Sequence, residues 1–197
     1  MRIVLIGQAA FAKDTLSALI ENKENVVGVF CPPDKDSSKP DPVKSLSLEH
    51  SINVLQFNRM RSEDAINAFK ELEPDLCVMA FVTDIVPNQM LEYPKFGTIQ
   101  YHPSLLPEHR GPSSINWPII QGKKTTGLSI FWPDEGLDTG PILLQKKVSI
   151  EKDDTLGTLY FNKLYPIGID AILESIDLIR SGKAPKNPQN HALATYE

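Results

Sequence analysis

Short apolar runs alternate with stretches of helical periodicity through the first part of the chain, and this alternation restricts the fold more than any other feature. The run "RIVLIG", for example, is followed by a segment in which Phe11, Leu16 and Leu19 have the spacing of one helix face. Strands separated by helices are typical of βαβ units, which build a parallel sheet with right-handed crossovers. The pattern predicts strands at 2–7, 25–31, 52–57 and 74–81 and helices at 10–23, 43–50 and 62–72.

The second half of the chain has a different rhythm. Two apolar runs are separated there only by "DEGLDT" (134–139), and a connection this short fits an antiparallel pair of strands. A long helical pattern covers 154–180 and contains Pro166, so a kink or break is expected at 166–168. The remaining elements are predicted as strands at 97–102, 125–133 and 140–150 and a helix at 113–122.

These elements predict the α/β fold class, with a Rossmann-like, mixed and mostly parallel sheet flanked by helices in a single domain. The chain of 197 residues is long enough for one such domain, which we assign to residues 1–181. Residues 182–197 are predicted to form an extended C-terminal tail or linker. The stretch 32–42 is rich in Pro, Ser and Asp and is expected to be an exposed, mobile loop.

Composition and charge exclude several classes of protein. The net charge of −5 argues against a generally basic, nucleic-acid-binding surface. No apolar run approaches the ~20 residues of a membrane span, and the N-terminus lacks the longer apolar stretch of a cleavable signal. Cys31 and Cys77 lie in strand-like segments, where buried and reduced thiols are expected. We therefore expect a cytoplasmic protein without a membrane partner.

The likeness to a Rossmann sheet predicts where a ligand binds, which is beyond the carboxyl ends of the strands. The segments 81–87 and 134–140 and the segment that begins at His102 all follow strands, so they are expected to share one cleft. The first turn, "GQAAFA", lacks the glycines of a G-x-G-x-x-G fingerprint, so no nicotinamide is expected. Neither cysteine has a C-x-x-C partner, and no G-x-S-x-G elbow is present, so no metal and no serine nucleophile are predicted.

His102 and Asp138 are predicted to carry the chemistry, because each follows a strand that is expected to end at the same rim. A carboxylate beside an imidazole fixes its tautomer and raises its pKa, which suits proton transfer near neutral pH. Gln100 lies two residues before His102 on the same face of a strand, and its amide is able to donate to an oxyanion. A packing role for the histidine, and a backbone contact for the glutamine, are the alternative interpretations.

Other polar residues leave alternatives open. His109 and Arg110 fit either a site for an acidic substrate tail or a solvated basic turn. Asp84 fits either a contact with a polar ring of a ligand or an ordinary exposed acid. Asp134 is expected only to keep its loop solvated. No role is assigned to His50 or His191.

Two segments, "HPSLLPEHRGPSSINWPIIQG" and "GLSIFWPDEGLDTGPILLQ", resemble the folate-dependent formyltransferase family. Its signature is Asn-x-His-Pro/Gly-Ser-Leu-Leu-Pro, followed by an Asp in a Gly-Leu-Asp-Thr-Gly loop. The resemblance runs almost end to end and implies 10-formyltetrahydrofolate as the formyl donor. It implies His102 as the acid/base, Asp138 as its partner, and Gln100 at the position of the family's catalytic Asn. The folate-binding shell that it implies consists of Asp84, Ile85, Val86, Ser104, Leu105, Leu106 and Pro107.

The formyl acceptor is the point on which the sequence leaves a choice. The hydrolase branch of the family uses water and releases tetrahydrofolate and formate, and we expect that reaction because lysines are balanced by aspartates in 31–44. The alternative is transfer to methionyl-tRNA or another amine, and tRNA is a partner only in that case. A third interpretation belongs to a different class of protein, in which the chain is a folate-binding module with little turnover. A further C-terminal domain is expected if the chain is part of a longer enzyme.

Overall fold

A computed structural model describes residues 1–34 and 39–197 of the chain. These residues separate into two compact units, Met1–Ile99 and Gln100–Glu197. The boundary falls inside the span that the sequence analysis assigned to one domain. The mobile loop predicted at 32–42 falls partly on residues 35–38, which lie outside the described residues. In the described part of the chain, no helix is long and apolar enough to cross a bilayer.

The first unit is built on parallel strands. They are β1 (Arg2–Gly7), β2 (Asn25–Phe30), β3 (Val54–Leu55) and β4 (Leu76–Ala80). Strand β1 is flanked by β2 on one side and by β4 on the other, and β2 also pairs with β3. Every residue of β4, and every residue of β1 except Arg2, is buried, which is typical of parallel strands covered on both faces.

Helices follow the strands of the first unit, as the alternating pattern predicted. They are α1 (Ala9–Glu21), α2 (Pro42–Glu49), α3 (Glu63–Glu71) and α4 (Asn88–Leu91). Helix α3 begins where the Ser62 hydroxyl accepts a hydrogen bond from the Ala65 N–H, a cap worth about 1 kcal/mol. Its buried face brings the ring of Phe69 to 5.8 Å from that of Phe30 in the core. Capping and apolar spacing together therefore fix where this helix lies.

Both cysteines lie in the core of the first unit and are free, which confirms the prediction of buried thiols. Burial, together with the nearby Asp41 carboxylate, raises the pKa of Cys31 to about 11. Burial raises the pKa of Cys77 still further. Because the thiolate is the reactive form, both side chains behave as small apolar groups near neutral pH.

The second unit is built around antiparallel strands. Its elements are β5 (Thr98–His102, which begins in the first unit), α5 (Asn116–Ile120), β6 (Thr125–Phe131), β7 (Ile142–Ser149), α6 (Leu156–Leu159), a π-helical segment (Tyr160–Leu164) and α7 (Tyr165–Arg180). Strand β6 pairs antiparallel with both β5 and β7. Across the described residues, seven strands hydrogen-bond in the order β3-β2-β1-β4-β5-β6-β7. The predicted mixed, mostly parallel α/β sheet is confirmed.

The predicted break in the long C-terminal helix is present, but it lies before the proline rather than at 166–168. The chain is π-helical over Tyr160–Leu164, and α7 then runs without interruption from Tyr165, with Pro166 in its first turn. A proline has no N–H to donate, and its ring collides with the carbonyl of the preceding turn. The distortion therefore falls in the turn that precedes Pro166, where wider π-type bonding accommodates the ring.

The segment predicted as an extended tail, 182–197, is bound within the second unit. Asn187 exchanges backbone hydrogen bonds with Ile142 at 2.8 and 3.0 Å. The indole of Trp132 donates to the carbonyl of Pro185 at 2.9 Å. A short 3-10 turn at His191–Leu193 lies between these contacts and residues 194–197. This segment supplies several of the contacts described next.

Candidate active site

His102 is the last residue of β5, and the loop that follows folds back over it. The side chain is only 5% exposed. Its Nε2 lies 2.8 Å from the carbonyl oxygen of His109. Since a carbonyl oxygen only accepts hydrogen bonds, this contact identifies Nε2 as a protonated nitrogen and leaves Nδ1 as the position that gains or loses a proton.

Asp138 lies in the loop between β6 and β7, and the structure brings it to the other ring nitrogen. Its Oδ2 is 3.5 Å from Nδ1 of His102 and accepts a hydrogen bond from the Gly111 N–H at 2.8 Å. The residue has a φ of 55°, in the left-handed region that a non-glycine residue adopts only where contacts hold it. The carboxylate is thus fixed from both its backbone and its side chain. The predicted pairing of His102 with Asp138 is present in the geometry.

Asp134 shapes the same loop. Its Oδ1 accepts hydrogen bonds from the backbone N–H of Gly136 at 3.0 Å and from the hydroxyl of Thr139. The expectation that Asp134 only solvates the loop was therefore wrong, because a short acidic side chain caps turns of this kind. These hydrogen bonds fix the backbone of the loop that leads to Asp138.

The protonation of His102 is set by two opposing effects. Burial, the larger effect, lowers the pKa of His102 because the charged imidazolium loses its hydration. The Asp138 carboxylate and the His109 carbonyl act in the other direction, since they stabilise the charged ring. The net direction is downward, so the ring is neutral near pH 7. When it takes a proton, both N–H groups face acceptors. This arrangement suits a group that holds a proton transiently.

Gln100 lies on the same face of β5 as His102, two residues earlier, and is half-buried. It is placed opposite Phe131 of β6, while His102 is placed opposite Ser129. The strand thus presents a flexible amide next to the imidazole. This placement is what the sequence predicted, and the catalytic role of the amide stays a prediction.

The loop after His102 is anchored on β6 and β7. In its first part, 103–107, the buried residues are Ser104 and Leu106. The hydroxyl of Ser129 donates to the Ser104 carbonyl at 2.7 Å and accepts from the Leu106 N–H at 3.1 Å. The amide of Gln145 donates to the Leu106 carbonyl at 2.9 Å. Of the four residues assigned here to a folate shell, Leu105 and Pro107 keep half-exposed side chains, and the other two face inward.

The remaining residues of the predicted shell follow β4 in the first unit. The carboxylate of Asp84 accepts from the Met60 N–H at 2.7 Å and from the Ile85 N–H at 2.8 Å. Val86 packs in the core, and Ile85 is 70% exposed. Asp84 thus stabilises this loop, and Ile85 presents an apolar side chain to solvent.

Both interpretations offered for His109 and Arg110 were wrong, because neither side chain is available to solvent or to a substrate tail. Arg110 is 1% exposed and donates to the Tyr196 hydroxyl at 2.6 Å, to Gln189 Oε1 at 2.7 Å and to His191 Nδ1 at 3.0 Å. His109 is 3% exposed, with its Nδ1 3.1 Å from a carboxylate oxygen of Glu197. The C-terminal segment covers this turn.

Gln189 and the C-terminal residues were missed by the sequence analysis. Gln189 and Tyr196 contact residues that lie 49 to 86 positions earlier in the chain. A polar segment rich in Pro and Asn reads as a tail when it is considered locally. No local signal in the sequence identifies them, because the burial of Arg110 and Asp138, which creates the need for these partners, is itself a result of the fold.

A metal centre has no support among the residues that the structure describes. Within 1–34 and 39–197, no group of three or more His, Cys, Asp or Glu side chains is arranged to hold an ion. The polar side chains that the structure brings to this site are the imidazole of His102, the carboxylate of Asp138 and the amide of Gln100.

Comparisons with known proteins place this arrangement in a family. The model of the formyl transferase family matches residues 1–167, and the chain belongs to that family. The mitochondrial 10-formyltetrahydrofolate dehydrogenase of Mus musculus is 43% identical over 202 residues, which cover 100% of this chain and 22% of the mouse protein. The methionyl-tRNA formyltransferase of Geotalea daltonii is 40% identical over 201 residues, which cover 100% of this chain and 64% of that protein.

A solved structure supports the fold. Glycinamide ribonucleotide transformylase 1 from Symbiobacterium toebii superimposes with a TM-score of 0.81 at 20% identity, covering 96% of this chain and 93% of that one. At this identity the likeness concerns the fold alone. The chain spans about a fifth of the length of the dehydrogenases that it matches.

Proposed function

We propose that this chain removes the formyl group of 10-formyltetrahydrofolate and transfers it to water, giving tetrahydrofolate and formate. The observation that carries the proposal is the buried His102–Asp138 pair at a strand end, in a chain 43% identical over its whole length to a 10-formyltetrahydrofolate dehydrogenase. The folate is the substrate, and no resident cofactor or metal takes part in the scheme.

The proposed reaction begins with a water molecule beside the His102–Asp138 pair. Its oxygen attacks the formyl carbon while the pair takes up its proton, because the imidazolium that forms has acceptors at both nitrogens. The formyl oxygen becomes an oxyanion, and the Gln100 amide is the group on this strand that is able to donate to it. The bond from carbon to N10 then breaks as the proton passes from the pair to N10, and formic acid leaves and gives formate by losing its remaining proton to solvent.

The folate is proposed to contact the side chains of the predicted shell that remain accessible. Leu105 and Pro107 of the second unit are half-exposed, so these apolar groups are available to a pterin ring. In the first unit, Ile85 is the exposed member of the predicted shell. Asp84, Val86, Ser104 and Leu106 would act by holding their loops, since their side chains are engaged or buried.

A transferase reaction is the second candidate. It is supported by the 40% identity to a methionyl-tRNA formyltransferase and by the amide of Gln100, at the position where the resemblance to the formyltransferase signature implies a catalytic Asn. In this case an amine, rather than water, attacks the same carbon. The donor, the His102–Asp138 pair and the oxyanion are common to both reactions, so only the acceptor distinguishes them.

The test is to incubate the purified chain with 10-formyltetrahydrofolate and to measure formate and tetrahydrofolate, with and without methionyl-tRNA. We expect equal amounts of both products without the tRNA, and none with His102→Ala. Formylated methionyl-tRNA in place of formate would establish the transferase. Folate binding without either product would show a binding module and overturn the proposal.

A cytoplasmic location is also part of the proposal. It is supported by the free, buried Cys31 and Cys77, since thiols persist in reducing compartments. Fractionation of cells that express the protein at its native level tests this point, and recovery with a membrane or secreted fraction would contradict it.

A further inference from the structure

Gln189 joins the two loops that hold the candidate catalytic pair. Its side chain is buried, with 6% exposed. The amide nitrogen donates to the backbone carbonyls of Asp138 at 2.9 Å and Gly140 at 2.7 Å. The amide oxygen accepts from the guanidinium of Arg110 at 2.7 Å. The orientation of the amide is fixed by chemistry, because carbonyls only accept and a guanidinium only donates.

These contacts close a ring through the site. From the Asp138 carbonyl, the path runs through the Gln189 amide to the Arg110 side chain and along the chain to Gly111. The Gly111 N–H then returns to the Asp138 carboxylate at 2.8 Å. His109, next to Arg110, provides the carbonyl that binds Nε2 of His102. This closed set of contacts therefore fixes the partners of both nitrogens of the His102 imidazole.

Arg110 makes the ring depend on Gln189. Arg110 is 1% exposed, and its guanidinium donates to the side chains of Gln189, Tyr196 and His191. A buried charge without enough partners is strongly destabilised, so a lost acceptor would make the side chain move. A movement of Arg110 would carry with it the carbonyl of His109 and the N–H of Gly111.

We propose that Gln189 is a positioning residue for the reaction, acting through Asp138 and Arg110 to set the alignment of His102 with its carboxylate partner. The proposal rests on the proposed function for its kinetic consequence, but the geometry that it describes does not depend on which acceptor is used. Gln189 touches no reacting atom in this scheme. Its effect is transmitted entirely through hydrogen bonds.

The substitutions Gln189→Ala and Gln189→Glu separate the parts of this role. The alanine variant removes all three hydrogen bonds. The glutamate variant has nearly the same volume and keeps an acceptor for Arg110, but it places an oxygen against the carbonyls of Asp138 and Gly140. Asn187→Ala is the matched control, because its side chain is exposed in the same segment and its bonds to Ile142 are made by the backbone.

The kinetic expectation is a loss in kcat without a comparable change in KM for the folate. A catalytic group displaced by about 1 Å costs up to about a hundredfold, so we expect kcat to fall about 10- to 100-fold in both Gln189 variants. Asn187→Ala should match the wild type. A wild-type kcat in a folded Gln189 variant would overturn the proposal, and so would a rise in KM alone.

A second readout does not require turnover. The pKa of His102 is followed by NMR of the imidazole in the intact chain, with the signal assigned from the variant His102→Gln. We expect Gln189→Ala and Gln189→Glu to lower this pKa in the direction of the value in Asp138→Asn, because the carboxylate no longer faces Nδ1. A residue that only stabilises the fold would lower the melting temperature and leave this pKa unchanged, and that result would overturn the inference.

The two readouts also distinguish the failure of each proposal. If the wild type releases no formate but the His102 pKa falls in the Gln189 variants, the proposed function is wrong and the positioning role stands. If formate is released and neither the pKa of His102 nor kcat changes in the Gln189 variants, the proposed function stands and the positioning role is wrong. If Gln189→Ala does not fold, the isosteric Gln189→Glu carries both measurements.

Discussion

At the scale of the residue, the site centres on the imidazole of His102, and each of its two nitrogens faces another group of the protein. His102 donates from Nε2 to a carbonyl seven residues later and faces a carboxylate with Nδ1. Burial favours the neutral ring, while the two partners favour the charged one. A group balanced in this way takes and returns a proton with little rearrangement, as proton transfer to and from a formyl adduct requires.

The first prediction at this scale concerns Asp138→Asn. The amide has nearly the same shape but lacks the charge that stabilises the protonated ring, so kcat should fall at least about a hundredfold. His102→Ala should be similarly impaired, and the double variant should be scarcely worse than either single one, because the residues act as a unit. Steady-state kinetics of formyl release measures these effects. Near wild-type turnover in Asp138→Asn would remove the pair from the mechanism.

A second prediction uses Gln100→Leu. If the amide holds the formyl oxygen, its loss should lower kcat by about 10²–10³, as for other oxyanion donors. Because the proposed scheme assigns the oxyanion to this amide, we expect the larger loss, and a tolerated apolar side chain would show that water attack proceeds without the donor. Formate release is measured beside formylation of methionyl-tRNA. Efficient tRNA formylation that collapses in Gln100→Leu would establish the transferase instead.

The pairing of His102 with Asp138 was predicted because both follow strands, but β5 and β6 are antiparallel and their carboxyl ends lie at opposite edges, so it is the loop between β6 and β7 that brings Asp138 to His102. The burial of Arg110 could not be predicted from the sequence. A basic turn next to a glycine is usually solvated, and the residues that bury it lie 79 to 86 positions later. Local pattern carries no information about such contacts, so Gln189 was invisible as a member of the site.

At the scale of the element, β6 is the strand on which the site is assembled. It lies between β5 and β7, and its Ser129 binds the loop that follows His102. Gly127 permits close packing on this strand. A β-carbon added there would lie 2.1 Å from the carbonyl oxygen of Lys146 and 2.6 Å from the side chain of Leu105. The glycine thus allows β7 and the loop to approach together.

The third prediction follows from this close contact. Gly127→Ala should lower the free energy of unfolding by about 1–3 kcal/mol, as overpacking does, and should also weaken folate binding by displacing Leu105. The control is Gly157→Ala in α6, where a β-carbon would only make an ordinary contact with the Thr155 hydroxyl at 3.7 Å. Because alanine favours a helix over glycine by up to about 1 kcal/mol, that variant should be neutral or stabilised. Denaturant unfolding of both variants makes the comparison. Equal stabilities would contradict the packing argument.

At the scale of the whole molecule, the fold class followed from the period of the apolar residues. Alternation of strands and helices predicted the parallel strands, and the short connection at 134–139 predicted the antiparallel pair. Element ends were less predictable, because they depend on hydrogen bonds rather than on period. The strand predicted at 52–57 is only Val54–Leu55, and the helical interruption precedes Pro166 instead of following it. The change of rhythm in the second half of the chain falls close to the boundary between the two compact units, although the pattern was interpreted as one domain.

The last prediction is a pH dependence of the stability of the whole chain. In the unfolded state His102 has its usual pKa near 6.5, and in the folded state burial lowers that pKa. As pH falls below about 6.5, the unfolded chain therefore binds a proton that the folded chain does not, and the free energy of unfolding decreases until the folded pKa is reached. Above that pH window, the contribution of His102 to the free energy of unfolding is fully present.

Melting temperatures from neutral to mildly acidic pH should therefore fall more steeply in the wild type than in His102→Gln. Parallel slopes in the wild type and His102→Gln would show that burial does not depress the pKa of His102.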